Sequence, residues 1–222
     1  MGRWFIAIIG LVMVVSCSVK TNEEKVRELV EPQVKANLIK PESYEFAQMR
    51  LDSCFSDDSR RNPDVIAFYL KIANLYNDYK KYKYQSESAE SSMAIYAPSY
   101  GYQSAYSKQQ QLKYKTEMEK AKRKADDVKE DILNLYRKNK QLFMGIESAK
   151  HEFTGWLVTF GYRAETAGGL KTMGVSIFFL NKDLTEISHS FSEKDMSILE
   201  SAGLDDLEYE FEEEFNGLYE EE

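Results

Sequence analysis

Residues 62–96 read NPDVIAFYLKIANLYNDYKKYKYQSESAESSMAIY, and the spacing of their apolar side chains sets the architecture of the chain. Asn62 can accept from free backbone donors, Pro63 suits the first helical position, and Asp64 places an acid in the first turn; together they open a helix. From there Val65, Phe68, Ile72, Leu75, Tyr79, Tyr82, Ser86, Ala89, Met93 and Tyr96 follow one another in steps of three and four. That is a narrow seam of coiled-coil type. Ala97-Pro98-Ser99-Tyr100-Gly101 breaks it, and a second series runs through Tyr114, Met118, Ala121, Ala125, Val128, Ile132 and Leu135, with Leu142 two steps on. Two series of similar length around one turn predict an antiparallel helical hairpin over 62–149, extending roughly 50–60 Å at 1.5 Å per residue. Pro98 and Gly101 favour this hairpin over an unbroken helix that pairs two chains.

The flanks read differently. Thr21-Asn22-Glu23-Glu24 forms a capping box, followed by Val26, Leu29 and Val30 at helical spacing. Pro32 is expected to kink or restart this helix, with Val34, Leu38 and Ile39 continuing its apolar face to Lys40-Pro41. Ser43–Phe55 alternates as a strand, but Tyr44 and Phe46 are out of phase with Met49 and Leu51, which predicts a bulge near Ala47-Gln48. Beyond the hairpin, Trp156, Val158, Phe160, Tyr162 and Ala164 alternate, as do Met173, Val175, Ile177 and Phe179, and then Ile187, His189 and Phe191. Turns at Gly168-Gly169 and Asn181-Lys182-Asp183 join them as antiparallel hairpins. A lone first strand needs partners and a three-stranded meander needs a cover, so the two flanks complete one another. The expected fold is α+β: a small antiparallel sheet with covering helices, split into 22–61 and 150–203, with the long hairpin 62–149 inserted. Ser192 to Asp195 caps a short helix, and 204–222 forms an acidic amphipathic helix with Leu204, Leu207, Phe211, Phe215 and Leu218 on one face.

The first residues carry a separate signal. Arg3 precedes an uncharged run from Trp4 to Ser16, which is shorter than the ~18 residues a membrane-crossing helix needs. A positive start, a short apolar segment and a small residue describe a signal peptide, here 1–16. Val14-Val15-Ser16-Cys17 resembles the lipobox of bacterial lipoproteins. The resemblance covers the leader alone and implies lipid on Cys17 and a place in the cell envelope, at the outer membrane; the polar residues after Cys17 read as a short tether over 17–21. With Cys17 lipidated, Cys54 has no disulfide partner and reads as a small buried hydrophobe.

The net charge of −8 is unevenly spread. Residues 193–222 hold thirteen acids against Lys194 alone, whereas 61–150 is basic, so the acidic tail can lie against the arm. His151 and His189 share no metal-ligand spacing with one another or with Cys54, and no metal or cofactor is expected. Neighbours on a strand face opposite ways, so Ser188 and Ser190 make poor partners for His189. Eleven of the fifteen tyrosines lie between residues 69 and 136, and tyrosine gives large amphipathic contact area at low entropic cost. The candidate partner-binding residues are Tyr96, Tyr100, Tyr102 and Tyr106, at the predicted tip, which suit an envelope protein partner. Basic residues among aromatics also suit nucleic acid, but an envelope location argues against it. The expected function is therefore a non-enzymatic interaction module or scaffold. The alternative is a surface module that binds a small ligand or glycan in the α+β core through Trp156, Tyr162 and Arg163.

Overall fold

The computed structural model describes residues 20–98, 103–212 and 215. The leader, Cys17, Tyr100, Tyr102 and Leu218 lie outside them. Helix α1 (Asn22–Ala36) is followed by strand β1 (Glu45–Phe55), then by two long helices, α2 (Pro63–Ile95) and α3 (Ala105–Glu147). Strands β2 (Phe153–Glu165), β3 (Lys171–Leu180) and β4 (Ile187–Ser192) come next, then α4 (Glu193–Ser201) and α5 (Leu204–Glu210). The sheet is antiparallel in the order β1-β2-β3-β4, so the helical hairpin sits between two strands that pair directly. This is the α+β arrangement expected from the sequence.

The local rules operate as read. Thr21 and Glu24 form the capping box, Asn62 accepts from the amides of Asp64 and Val65, and Ser192 pairs reciprocally with Asp195. The register of β1 on β2 shifts between Phe46 and Gln48, which is the bulge that brings Tyr44 and Phe46 into phase with Met49 and Leu51. Pro32 does not break α1. It lies on the exposed side, where water can reach the Glu28 carbonyl that it leaves without a donor, while Val26, Val30 and Val34 hold the opposite side against the sheet. The apolar face also stops earlier than expected: the helix ends at Ala36 and Ile39 is exposed.

Each sheet face has its own cover. α1 packs on Val158, Phe160, Phe178 and Leu180, with Trp156 and Tyr162 at the margins. Tyr162 lies across Gly174, where a Cβ would meet its ring, so that glycine is a packing requirement. The opposite face carries Cys54, Phe179 and Phe191, covered by Ile66, Ala67 and Leu70 of α2 and Met196 of α4. The first turns of α2 thus belong to the sheet's core. The hairpin is continuous with the domain at residue 62.

Candidate interaction surface

At 1.5 Å per residue, the 33 residues of α2 and 43 of α3 extend about 50 and 65 Å. Three zones follow one another along them. At the root, Phe68, Ile72 and Tyr76 of α2 meet Ile132 of α3, together with Leu207 and Phe211 of the C-terminal segment. Leu207 and Phe211 are 0% exposed, and Phe215 packs on Tyr136. The root is therefore wider than a two-helix seam. Tyr76, absent from the predicted series, is buried because it faces the C-terminal segment, whereas Leu75 and Tyr79 are half-buried.

A polar clasp holds that segment in place. Tyr79 donates to Glu210 Oε1 at 2.8 Å, Tyr76 donates to Glu210 Oε2 at 3.3 Å, and Lys83 forms an ion pair with the same carboxylate. Lys80 donates to the Ala202 carbonyl at 2.7 Å, and Lys129 lies 4.9 Å from the centre of the Phe211 ring. Burial alone would raise the Glu210 carboxyl, but the hydrogen bonds from Lys83 and Tyr79, helped by the Lys83 charge and Tyr76, hold it below its ordinary value. Burial, then Glu210, pushes the Tyr76 hydroxyl up to about 12. The described part of the acidic tail lies against the basic arm, with Leu207 and Phe211 fully buried and the part-buried Glu210 carboxylate held by Tyr76, Tyr79 and Lys83.

Along the shaft the buried side chains are small: Ala89 on α2, Ala121 and Ala125 on α3. Small residues let the helices approach, and beside them a groove of about 390 Å³ opens between Tyr84, Ser88, Tyr114 and Lys124. At the far end, Tyr96 stacks on Tyr114 at 5.8 Å between centroids and meets Tyr106 edge-on at 6.3 Å. Gln103 donates to the Tyr96 carbonyl and to Gln111, closing the end of the hairpin. Ile95, Leu112 and Tyr106 stand in solvent there, 78%, 66% and 62% exposed.

Of the four tyrosines expected at the tip, Tyr96 and Tyr106 are brought together. The exposed partners Ile95 and Leu112 were missed, because both fall off the 3-4 seam that identified the arm. The alternative set is not brought together. Trp156 and Tyr162 lie on the α1 side of β2, six residues apart, and Trp156 spends its indole donor on the Lys182 carbonyl. Arg163, adjacent in sequence to Tyr162, projects from the opposite face and is exposed.

Cys54 is buried as expected, and desolvation pushes its thiol up to about 11. His151 is exposed; it stacks on Phe55 at 4.1 Å and lies 2.9 Å from Asp57, at the two crossings between sheet and arm. His189 Nε2 lies 3.5 Å from Asp64. Among the described residues no three His, Cys, Asp or Glu side chains gather where they could hold a metal ion, and no helix is long and apolar enough to cross a membrane.

The class this fold defines is a small antiparallel α+β sheet domain carrying a long helical hairpin between its first two strands. No protein-family model, curated protein or solved structure matches the chain.

Proposed function

We propose that this chain is a lipid-anchored bacterial envelope protein of non-enzymatic type, held at the outer membrane through lipid on Cys17. It acts as a scaffold that contacts another envelope component with the far end of its helical arm. The observation that carries this reading is the contrast within the arm. Its root is packed by large side chains, while its far end leaves Ile95, Tyr106 and Leu112 in solvent. Exposed apolar side chains near the end of an extended element cost solubility and suit a contact surface.

The test compares crosslinked envelope fractions from the intact protein and from a variant carrying Ile95→Ser, Tyr106→Ser and Leu112→Ser. Loss of a specific crosslinked component, with the circular dichroism spectrum unchanged, supports the reading. A pattern of crosslinked protein and lipid identical to that of the intact protein sinks it. Lipidation is tested separately by the mass of the N-terminal peptide: an unmodified Cys17 would remove the anchor from the proposal and leave the arm in it.

A further inference from the structure

Residues 91–116 contain no Asp or Glu, in a chain that has 37 of them, and their only charges are Lys108, Lys113 and Lys115. This acid-free stretch coincides with the far end of the arm. Lys108, Leu112 and Lys115 stand at helical spacing on one face of α3 and line a shallow groove together with Met93 of α2. An exposed leucine is thus flanked by two lysines whose aliphatic stems can lie along it while their heads reach further out. Lys113 is less free, lying 3.9 Å from Glu117 and 5.4 Å from the centre of the Tyr114 ring.

The size of the surface narrows the choice of partner. Among the described residues, the apolar and basic side chains at this end form only a narrow strip along Met93, Leu112, Lys108 and Lys115. A stable protein–protein contact buries about 800 Å² on each side. A bilayer interface sets no such minimum. It accepts tyrosine at headgroup level, takes aliphatic side chains below it, and attracts each nearby lysine when the lipids are anionic. Nucleic acid would use the rings and the lysines, but it has no use for Ile95 and Leu112.

We infer that the far end of the arm docks onto an anionic lipid surface. Leu112 and Ile95 enter the interface, and Lys108 and Lys115 meet the headgroup phosphates. The inference rests on the reading of the arm as the contact surface and replaces the protein partner suggested by the tyrosines alone.

The full chain, reconstituted in vesicles, carries an environment-sensitive dye at the exposed position Ala94→Cys. The parent chain taken through the same labelling supplies the background from Cys17 and Cys54. The dye should shift to the blue on phosphatidylglycerol–phosphatidylcholine vesicles, stay at its aqueous wavelength on phosphatidylcholine alone, and revert as salt rises. Lys108→Gln should lower the equilibrium constant of the shifted state about fivefold. Ile95→Ser with Leu112→Ser should abolish it. A shift of equal size on both vesicle types and in the serine variant overturns the proposal, since the dye alone would then be partitioning. An unshifted dye on the anionic vesicles overturns it too. If the tip variant still loses a crosslinked envelope protein in that case, the arm remains the contact surface and only the lipid partner falls; if no crosslink is lost, both readings fall.

Discussion

The two ends of the arm are made of the same residue types and treat them in opposite ways. At the root, Tyr76 and Tyr79 are covered by Phe211 and give their hydroxyls to Glu210. At the far end, Tyr106 is open to water beside Ile95 and Leu112. The root has a third wall, supplied by the C-terminal segment, whereas among the described residues the far end has only the two helices of the arm. The difference teaches that tyrosine content by itself does not locate a contact surface. What separates packing from display is whether a later element of the chain returns to cover the ring.

The strongest way to break this contrast is deletion. Replacing residues 62–149 by a short linker removes Ile66, Ala67 and Leu70 from the face that carries Cys54, Phe179 and Phe191. It also strips the surface on which Leu207 and Phe211 are buried. We expect that chain to lose cooperative unfolding in circular dichroism. Joining Gln85 to Glu117 through a glycine–serine turn removes the tip and the outer part of the shaft, and that chain should still unfold cooperatively. If both deletions fold equally well, the root is not part of the domain core.

A finer test trims one side chain. Phe211→Ala removes a fully buried ring from the root cluster and should destabilise the protein by about 3–5 kcal/mol in denaturant unfolding, the range for a large-to-small change in a packed core. A loss below about 0.5 kcal/mol, the ordinary effect of a surface change, would mean the C-terminal segment is a loose appendage.

That segment also shows what the sequence could and could not disclose. The strands, caps and bulge were legible because each depends on neighbours a few residues away: alternation at Trp156 to Ala164, Thr21 with Glu24, and the phase slip at Phe46. The hairpin was legible for the same reason, since its seam repeats locally. Tyr76 was not, because its burial comes from Phe211 and Leu207, more than 130 residues later, and no local period marks that approach. Ile95 and Leu112 were missed for the converse reason: a periodic reading selects side chains that face inward, and display residues are those left over. Trp156, Tyr162 and Arg163 looked like one cluster in sequence, but the pleat sends Arg163 to the other side of the sheet.

The clasp at Glu210 predicts a smaller, pH-dependent effect. Its carboxyl is held below the ordinary value of 4.5, so the folded state favours the ionised form more than the unfolded chain does. The stabilisation is complete above that ordinary value and is lost as pH falls through the lower folded one. Glu210→Gln keeps the shape, removes the charge, and should cost about 1 kcal/mol at neutral pH while flattening this part of the acid limb. An unchanged acid limb would show that Lys83, Tyr76 and Tyr79 hold the carboxylate no better than water does.

The smallest expected effect falls on the opposite end of the same helices. Ile95 and Leu112 have most of their surface in water, so Ile95→Ser and Leu112→Ser forfeit little burial and leave no cavity. Each should change unfolding free energy by no more than about 0.5 kcal/mol, the range of surface substitutions remote from caps and cores. Helix propensity works slightly in the same direction, because serine is no better than isoleucine and somewhat worse than leucine in a helix. Residues that stability does not need and solubility disfavours require another reason to be apolar, and contact with a partner supplies one. A loss of 2 kcal/mol or so from either substitution, in the range of a buried aliphatic truncation, would mean that these side chains are packed in solution and that the arm has no bare end.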